Sequence, residues 1–361
     1  MSAHAASAPL RFTPDMEVPA PDEAETNAAL IETMGRISEA TLEHSGHASR
    51  SVHAKSHGVL RATLVVHPGL PATLAQGLFA RAGEYDVAMR FSTLPGDILD
   101  DSVSTPRGLA IKVIGVDGPR LPGSEADTTQ DFVLVNAPAF SAPTPAKFLG
   151  NLKLLAATTD KAEGAKQALS AAARGAESVI EALGAKSPTI TTMGGHPATS
   201  ILGETFYSQV PVLYGDYIAK IAVAPVFDLS ALTGTPVDLA APDALRDSVS
   251  AHFAAHGGEW DVRVQLCTDL DTMPIEDASV AWPEDASPYV TVARLKAAPQ
   301  DSWSAEGVAA IDEGLAFSPW HGLAAHRPLG GVMRARNSTY TSSAGFRASH
   351  NGCPIHEPKA R

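Results

Sequence analysis

Residues 85–92 read YDVAMRFS. Apolar, aromatic and β-branched side chains fill most of the segment, which is the composition of a strand. One arginine, Arg90, stands inside the apolar run. Facing inward it needs an anionic partner, and facing outward it is ordinary; alternation leaves both open. The same kind of segment recurs on either side. GVLRATLVV (58–66) precedes it, and GLAIKVIG (108–115) and DFVLVN (131–136) follow, with clusters of Gly, Pro and Asp between them. Further along come GETFYSQV (203–210), YIAKIAVAP (217–225), EWDVRVQLC (259–267) and YVTVARL (289–295).

These make eight strands, four on each side of a stretch that reads as helical: an Ala-rich insert at about 144–186. Eight strands suit a closed antiparallel barrel, because closure leaves no unpaired edge. Helical spacing also appears at 26–43. The expected fold class is therefore α+β: an eight-stranded antiparallel β-barrel with a helical insert and a C-terminal wrapping, helical tail. Three regions follow. Residues 1–45 form an arm and helix, 46–300 the barrel core with its insert, and 301–361 a C-terminal segment.

The 361-residue chain is 44% hydrophobic and 19% charged, enough for a sizeable core. It carries 27 basic and 40 acidic side chains, a net charge of -13. That balance argues against nucleic-acid or anionic-membrane partners, which need Lys and Arg for phosphate. The two cysteines, Cys267 and Cys353, cannot build a disulfide framework, which points to a reducing, cytoplasmic compartment. The N-terminus lacks a basic start followed by an apolar run, so no secretory signal is expected. No apolar stretch is long enough to predict a membrane span. P-loop, GxGxxG, CxxC and HExxH motifs are absent.

Two segments carry candidate chemistry. In RARNSTYTSSAGFR (334–347), Tyr340 has Arg336 four residues before it and Arg347 seven after. In a helix these share a face. The arrangement suits either an amphipathic surface tyrosine or a phenol that must be ionised. In RSVHAK (50–55), His53 lies just before a strand, with Arg50 three residues earlier. A lone histidine is more often structural than catalytic.

Taken in order, these segments resemble the haem catalase superfamily, in particular its short catalase-like hydroperoxidases. RSVHAK resembles the distal-histidine motif. MRFST (89–93) and TPRGLAIKV (105–113) resemble the RFST and DPRGFAVKF segments. DFVLVNAPAF (131–140) resembles the asparagine-containing stretch, SVAWP (279–283) the KVWP segment, and RNSTY (336–340) the RxxxY proximal signature.

The resemblance implies haem b, its ferric iron ligated by Tyr340 as tyrosinate, with Arg336 favouring the anion. It implies that His53 is general base and then general acid, and that Arg50, Arg90 and Arg347 bind haem propionates. Val52 stands before the histidine as in catalases, where coral allene oxide synthases have threonine, and Phe148 is the candidate to lie over the haem. Two departures stand out. Glu204, in GETF, takes the place of a histidine and is expected to pair with Arg336. Val135 takes the place of the first of two asparagines, so Asn136 reaches the distal pocket by a one-residue shift or the distal donor is missing.

The implied activity is reduction of hydrogen peroxide or organic hydroperoxides through a ferryl intermediate, with a small-molecule electron donor and some catalase activity. A homodimer or small homo-oligomer is expected. The alternatives are a hydroperoxide-rearranging enzyme of allene-oxide-synthase type and a non-catalytic barrel that binds haem or an apolar ligand.

Overall fold

The structure, a computed structural model, describes residues 8–96, 98–103, 105–156, 196–352 and 355–359. The Ala-rich part of the expected insert, 162–185, and Cys353 lie outside them.

Among the described residues, strands β1 (Lys55–Val66), β2 (Gly83–Thr93), β3 (Arg107–Ile114) and β4 (Thr129–Val135) form an antiparallel meander. Strands β5 (Phe206–Tyr207), β7 (Tyr217–Val226), β8 (Gly258–Leu266) and β9 (Val290–Ala297) continue it. β4 pairs with β5, β5 with β7, and β9 with β1, so eight strands close into a ring. A short β6 (Val212–Tyr214) is added to the side of β7. The expected strand at 203–210 shrinks to two residues. Gly203 lies against the backbone of Leu232 and Thr233, and Gln209 takes a φ of 62°, so the chain leaves the ladder on both sides.

Alternate side chains fill the barrel, as the two-residue period of a strand requires. Val87, Met89 and Phe91 of β2 join Leu109, Ile111 and Val113 of β3 in the main core. Phe91 lies 5.9 Å from Phe206 and 6.1 Å from Trp260, ring centre to ring centre. The other face of β2 presents Ala88, Arg90 and Ser92. Arg90 therefore points away from the barrel interior, yet it is only 2% exposed. The C-terminal segment covers it: one helical turn (Ala305–Gly307) runs into a π-helix (Val308–Glu313), and Ile311 and Leu315 pack on Val59 and Ala88.

Among the described residues four longer helices flank the barrel: α1 (Glu23–Ser45), α2 (Pro145–Ala156), α3 (Ala244–Ala255) and α4 (Gly331–Asn351). α1, α2 and α4 share an apolar cluster containing Leu30, Met34, Ile37, Leu152 and Ala335. The start of α4 is held by acids. Glu17 and Glu276 accept from the Gly330 and Gly331 amides at 2.9 and 2.7 Å, and both also bind Arg334, which Glu23 bridges too. Carboxylates on the free amides of a helix start satisfy orphan donors and complement the helix dipole. Among the described residues no helix is long and apolar enough to cross a membrane.

Candidate active site

His53 ends the loop before β1. Its φ of 53° is left-handed, a conformation that costs a non-glycine residue about 1–2 kcal/mol. Two contacts orient the imidazole. Nδ1 lies 3.3 Å from Ser92 Oγ, and the ring sits on Gly108, where a Cβ would come within 2.6 Å of Nδ1. Ser92 and Gly108 are cross-strand partners, so neighbouring strands build this seat. In the tautomer whose Nδ1–H donates to Ser92, Nε2 carries the lone pair. Burial, then the charges of Arg90 and Arg336, push the ring's pKa down to about 3. His53 is thus a neutral base at pH 7.

Tyr340 and Arg336 lie one turn apart on α4. Both are half-buried, and the Tyr340 hydroxyl has no hydrogen-bond partner among the described residues. Arg336 sits over the Phe140 ring at 5.4 Å, and its Nη1 is 3.9 Å from Met333 Sδ. Phe140 in turn meets Phe148 in a tilted ring contact, 5.0 Å between centres. Val52 and Phe148 pack on the α1–α2–α4 cluster, and the Ser51 hydroxyl lies 3.0 Å from that of Ser343. The residues just before His53 therefore rest on α4 within a turn of Tyr340.

Arg50, Arg90 and Arg347 also converge, on a residue that sequence reasoning did not single out. Asp312 Oδ1 accepts from Arg50 Nη1 at 2.9 Å and from Arg90 Nε at 2.6 Å. The Asp312 carbonyl accepts from Arg50 at 2.7 Å and Arg347 at 3.1 Å. Burial opposes ionisation of Asp312, but Arg90 and Arg50 outweigh it and hold the carboxyl at about 2. The next acid, Glu313, stands 3.9 Å from Arg347. The arginines expected to meet propionates are thus bonded to this chain's own acid and carbonyls.

Two expectations change. Glu204 does not pair with Arg336. Its carboxylate bonds Arg107, the first residue of β3, and Asn136 Nδ2 at 2.9 Å. Glu204 follows the 3-10 turn Ile201–Gly203, and that turn brings it to the β3 end of the barrel, away from α4. Asn136 is consumed there as well. Its Oδ1 accepts from the Arg107 amide at 2.9 Å, and its Nδ2 is 3.4 Å from His196 Nδ1. The amide is a brace between β3, β4 and the 196–204 loop.

The donor set suits a ferric porphyrin: iron(III) takes an anionic oxygen, and the Tyr340 phenol, with no hydrogen-bond partner among the described residues, lies beside Arg336, which has no carboxylate partner among them. Ser92 carried a readable signal, since it shares a strand face with Arg90. Asp312 carried none.

No protein-family model and no curated protein sequence matches the chain. Its fold does match solved structures. A fungal catalase superposes with a TM-score of 0.61 at 18% identity, over 88% of this chain and 63% of the other. Catalase A from Saccharomyces cerevisiae gives 0.59 at 18%, over 88% and 65%. A bacterial catalase gives 0.57 at 16%, over 98% and 66%. The chain has the catalase fold and spans a little under two thirds of the length of each of these proteins.

Proposed function

We propose that this chain is a haem-dependent hydroperoxidase that reduces hydrogen peroxide or organic hydroperoxides with a small-molecule donor. One observation carries the reading. A neutral imidazole lies beside Ser92 and Gly108, and the two residues before it, Ser51 and Val52, rest against the helix whose phenol and neighbouring guanidinium have no acidic partner among the described residues. The catalase fold supports it.

Haem, when bound, supplies a redox-active iron at which the O–O bond is cleaved. Tyr340 would hold it through the phenolate oxygen. His53 Nε2 would take the proton from one peroxide oxygen and return it to the departing one, which then leaves as water or alcohol instead of hydroxide or alkoxide. Ser92 keeps Nδ1 occupied, so only Nε2 serves. Arg50 and Arg347 would meet the haem carboxylates. Asn136, bonded to Glu204 and Arg107, offers no amide to orient peroxide. That supports a peroxidase with an external donor over fast catalase turnover.

The ultraviolet–visible spectrum of the purified, haem-supplied protein tests this first. A high-spin ferric Soret band that changes on adding peroxide is expected, with dye oxidation exceeding oxygen release. Tyr340→Phe should lose haem; normal haem content would sink the ligand assignment. His53→Ala should keep haem and slow peroxide cleavage by roughly 10²–10⁴. An unchanged rate refutes its role.

A further inference from the structure

We propose that Arg90, fixed by Asp312, is the positioning residue for His53: a guanidinium clamp on the histidine's backbone. All three nitrogens of Arg90 have protein acceptors. Nε bonds Asp312 at 2.6 Å, Nη1 bonds the His53 carbonyl at 2.9 Å, and Nη2 bonds the Ala54 carbonyl at 2.9 Å. Successive carbonyls of an extended chain point to opposite sides. Here two successive carbonyls point at one planar fork, so the chain is held out of the extended conformation just before β1 begins. His53 is left-handed at that place, and a histidine does not choose this conformation unaided.

The clamp has its own foundation. Asp312 Oδ1 is shared with Arg50, and its place on the π-helix sets Arg90 at the right height above β2. The ring contacts to Ser92 and Gly108 orient the imidazole; the Arg90 fork sets where its backbone starts. A lysine has the charge but no fork, so it cannot meet one carboxylate and two carbonyls in a plane.

This deepens the reading of His53 as the acid–base group, and its test reads the histidine's conformation directly. Isotope-labelled protein without haem gives the backbone carbon shifts of His53 and Ala54. In Arg90→Lys these should move away from left-handed values; in Asp312→Asn they should move the same way by less. In Arg50→Lys, which shares Asp312 but does not touch the His53 carbonyl, they should stay. With haem bound, Arg90→Lys should retain the Soret band and react with peroxide about 10²-fold more slowly, the usual effect of a misplaced group. Should Arg90→Lys fail to fold, Asp312→Asn carries the test. Folded variants with unmoved His53 shifts overturn the clamp. A parent protein that never cleaves peroxide overturns the hydroperoxidase reading and leaves the clamp standing.

Discussion

His53 and Asp312 are both held deprotonated, and burial works with the neighbouring arginines at the histidine but against them at the aspartate. The histidine has cations for neighbours and stays neutral; the aspartate has cations for neighbours and stays charged. Both pKa values fall below their unfolded values, and both therefore cost stability in acid. Asp312 drops from 3.8 to about 2, which contributes about 2 kcal/mol above pH ~4 that is lost as pH falls towards ~2. Denaturant titrations of Asp312→Asn should show a shallower acid slope in that window, on a lower baseline. For His53 the loss begins earlier, as the unfolded ring protonates near its usual value of 6.5 while the folded ring resists down to about 3. The same resistance predicts that the rate of reaction with peroxide is flat from about pH 5 to about pH 8, with no inflection near the ordinary histidine value. A stopped-flow pH series checks this; a step near pH ~6.5 would contradict it. The placement of Arg336 and Tyr340 one turn apart on a helix was legible in the chain because helical spacing is local. The partners of Arg90 and Glu204 were not, because each lies far along the chain.

Among elements, α4 and β2 bear most on the site. α4 carries Arg336, Tyr340 and Arg347, and its first turn is tied to Glu17, Glu23 and Glu276. Removing one of these acids, as in Glu17→Ala, unpairs the Gly330 amide, takes away the Arg327 ion pair and leaves Arg334 Nη1 to Glu276 alone. A loss of about 1 kcal/mol in urea unfolding is expected, with weaker haem retention as the helix start loosens. β2 divides its labour by face: Phe91 packs the barrel while Arg90 and Ser92 serve His53. Phe91→Ala should cost about 3–5 kcal/mol by calorimetry or denaturant, since it empties the centre of an aromatic cluster. The strands were readable because apolar composition and turn residues mark them. The length of β5 was not readable, because backbone crowding at Gly203 and the turn at Gln209 depend on what packs there.

Across the whole molecule, the barrel is a scaffold whose outer face is buried by the chain's own ends. Lys112, on β3, is 0% exposed. It bonds Asp131 on β4 at 2.8 Å and Glu357 from the C-terminal segment at 2.7 Å. Losing Glu357 should cost about 1–3 kcal/mol, the penalty for one missing bond to a buried charge. Losing Asp131 should cost about 3–5 kcal/mol, since its carboxyl is fully buried with Lys112 whereas that of Glu357 is partly exposed. Urea melts of Glu357→Ala and Asp131→Ala measure the difference, and equal losses would contradict the ranking. By itself the sequence determined what local chemistry can specify: eight strands by their composition, a helix bearing Arg336 and Tyr340 on one face, and a histidine beside a strand. Only the tertiary structure decided that Arg90 turns outward onto Asp312, that Glu204 and Asn136 brace Arg107, and that Ser92 and Gly108 seat His53. Strand period and helix pitch act over a few residues and are written in order along the chain. A buried charge takes whichever opposite charge the folded chain brings within about 3 Å, and that choice is made by packing between distant segments.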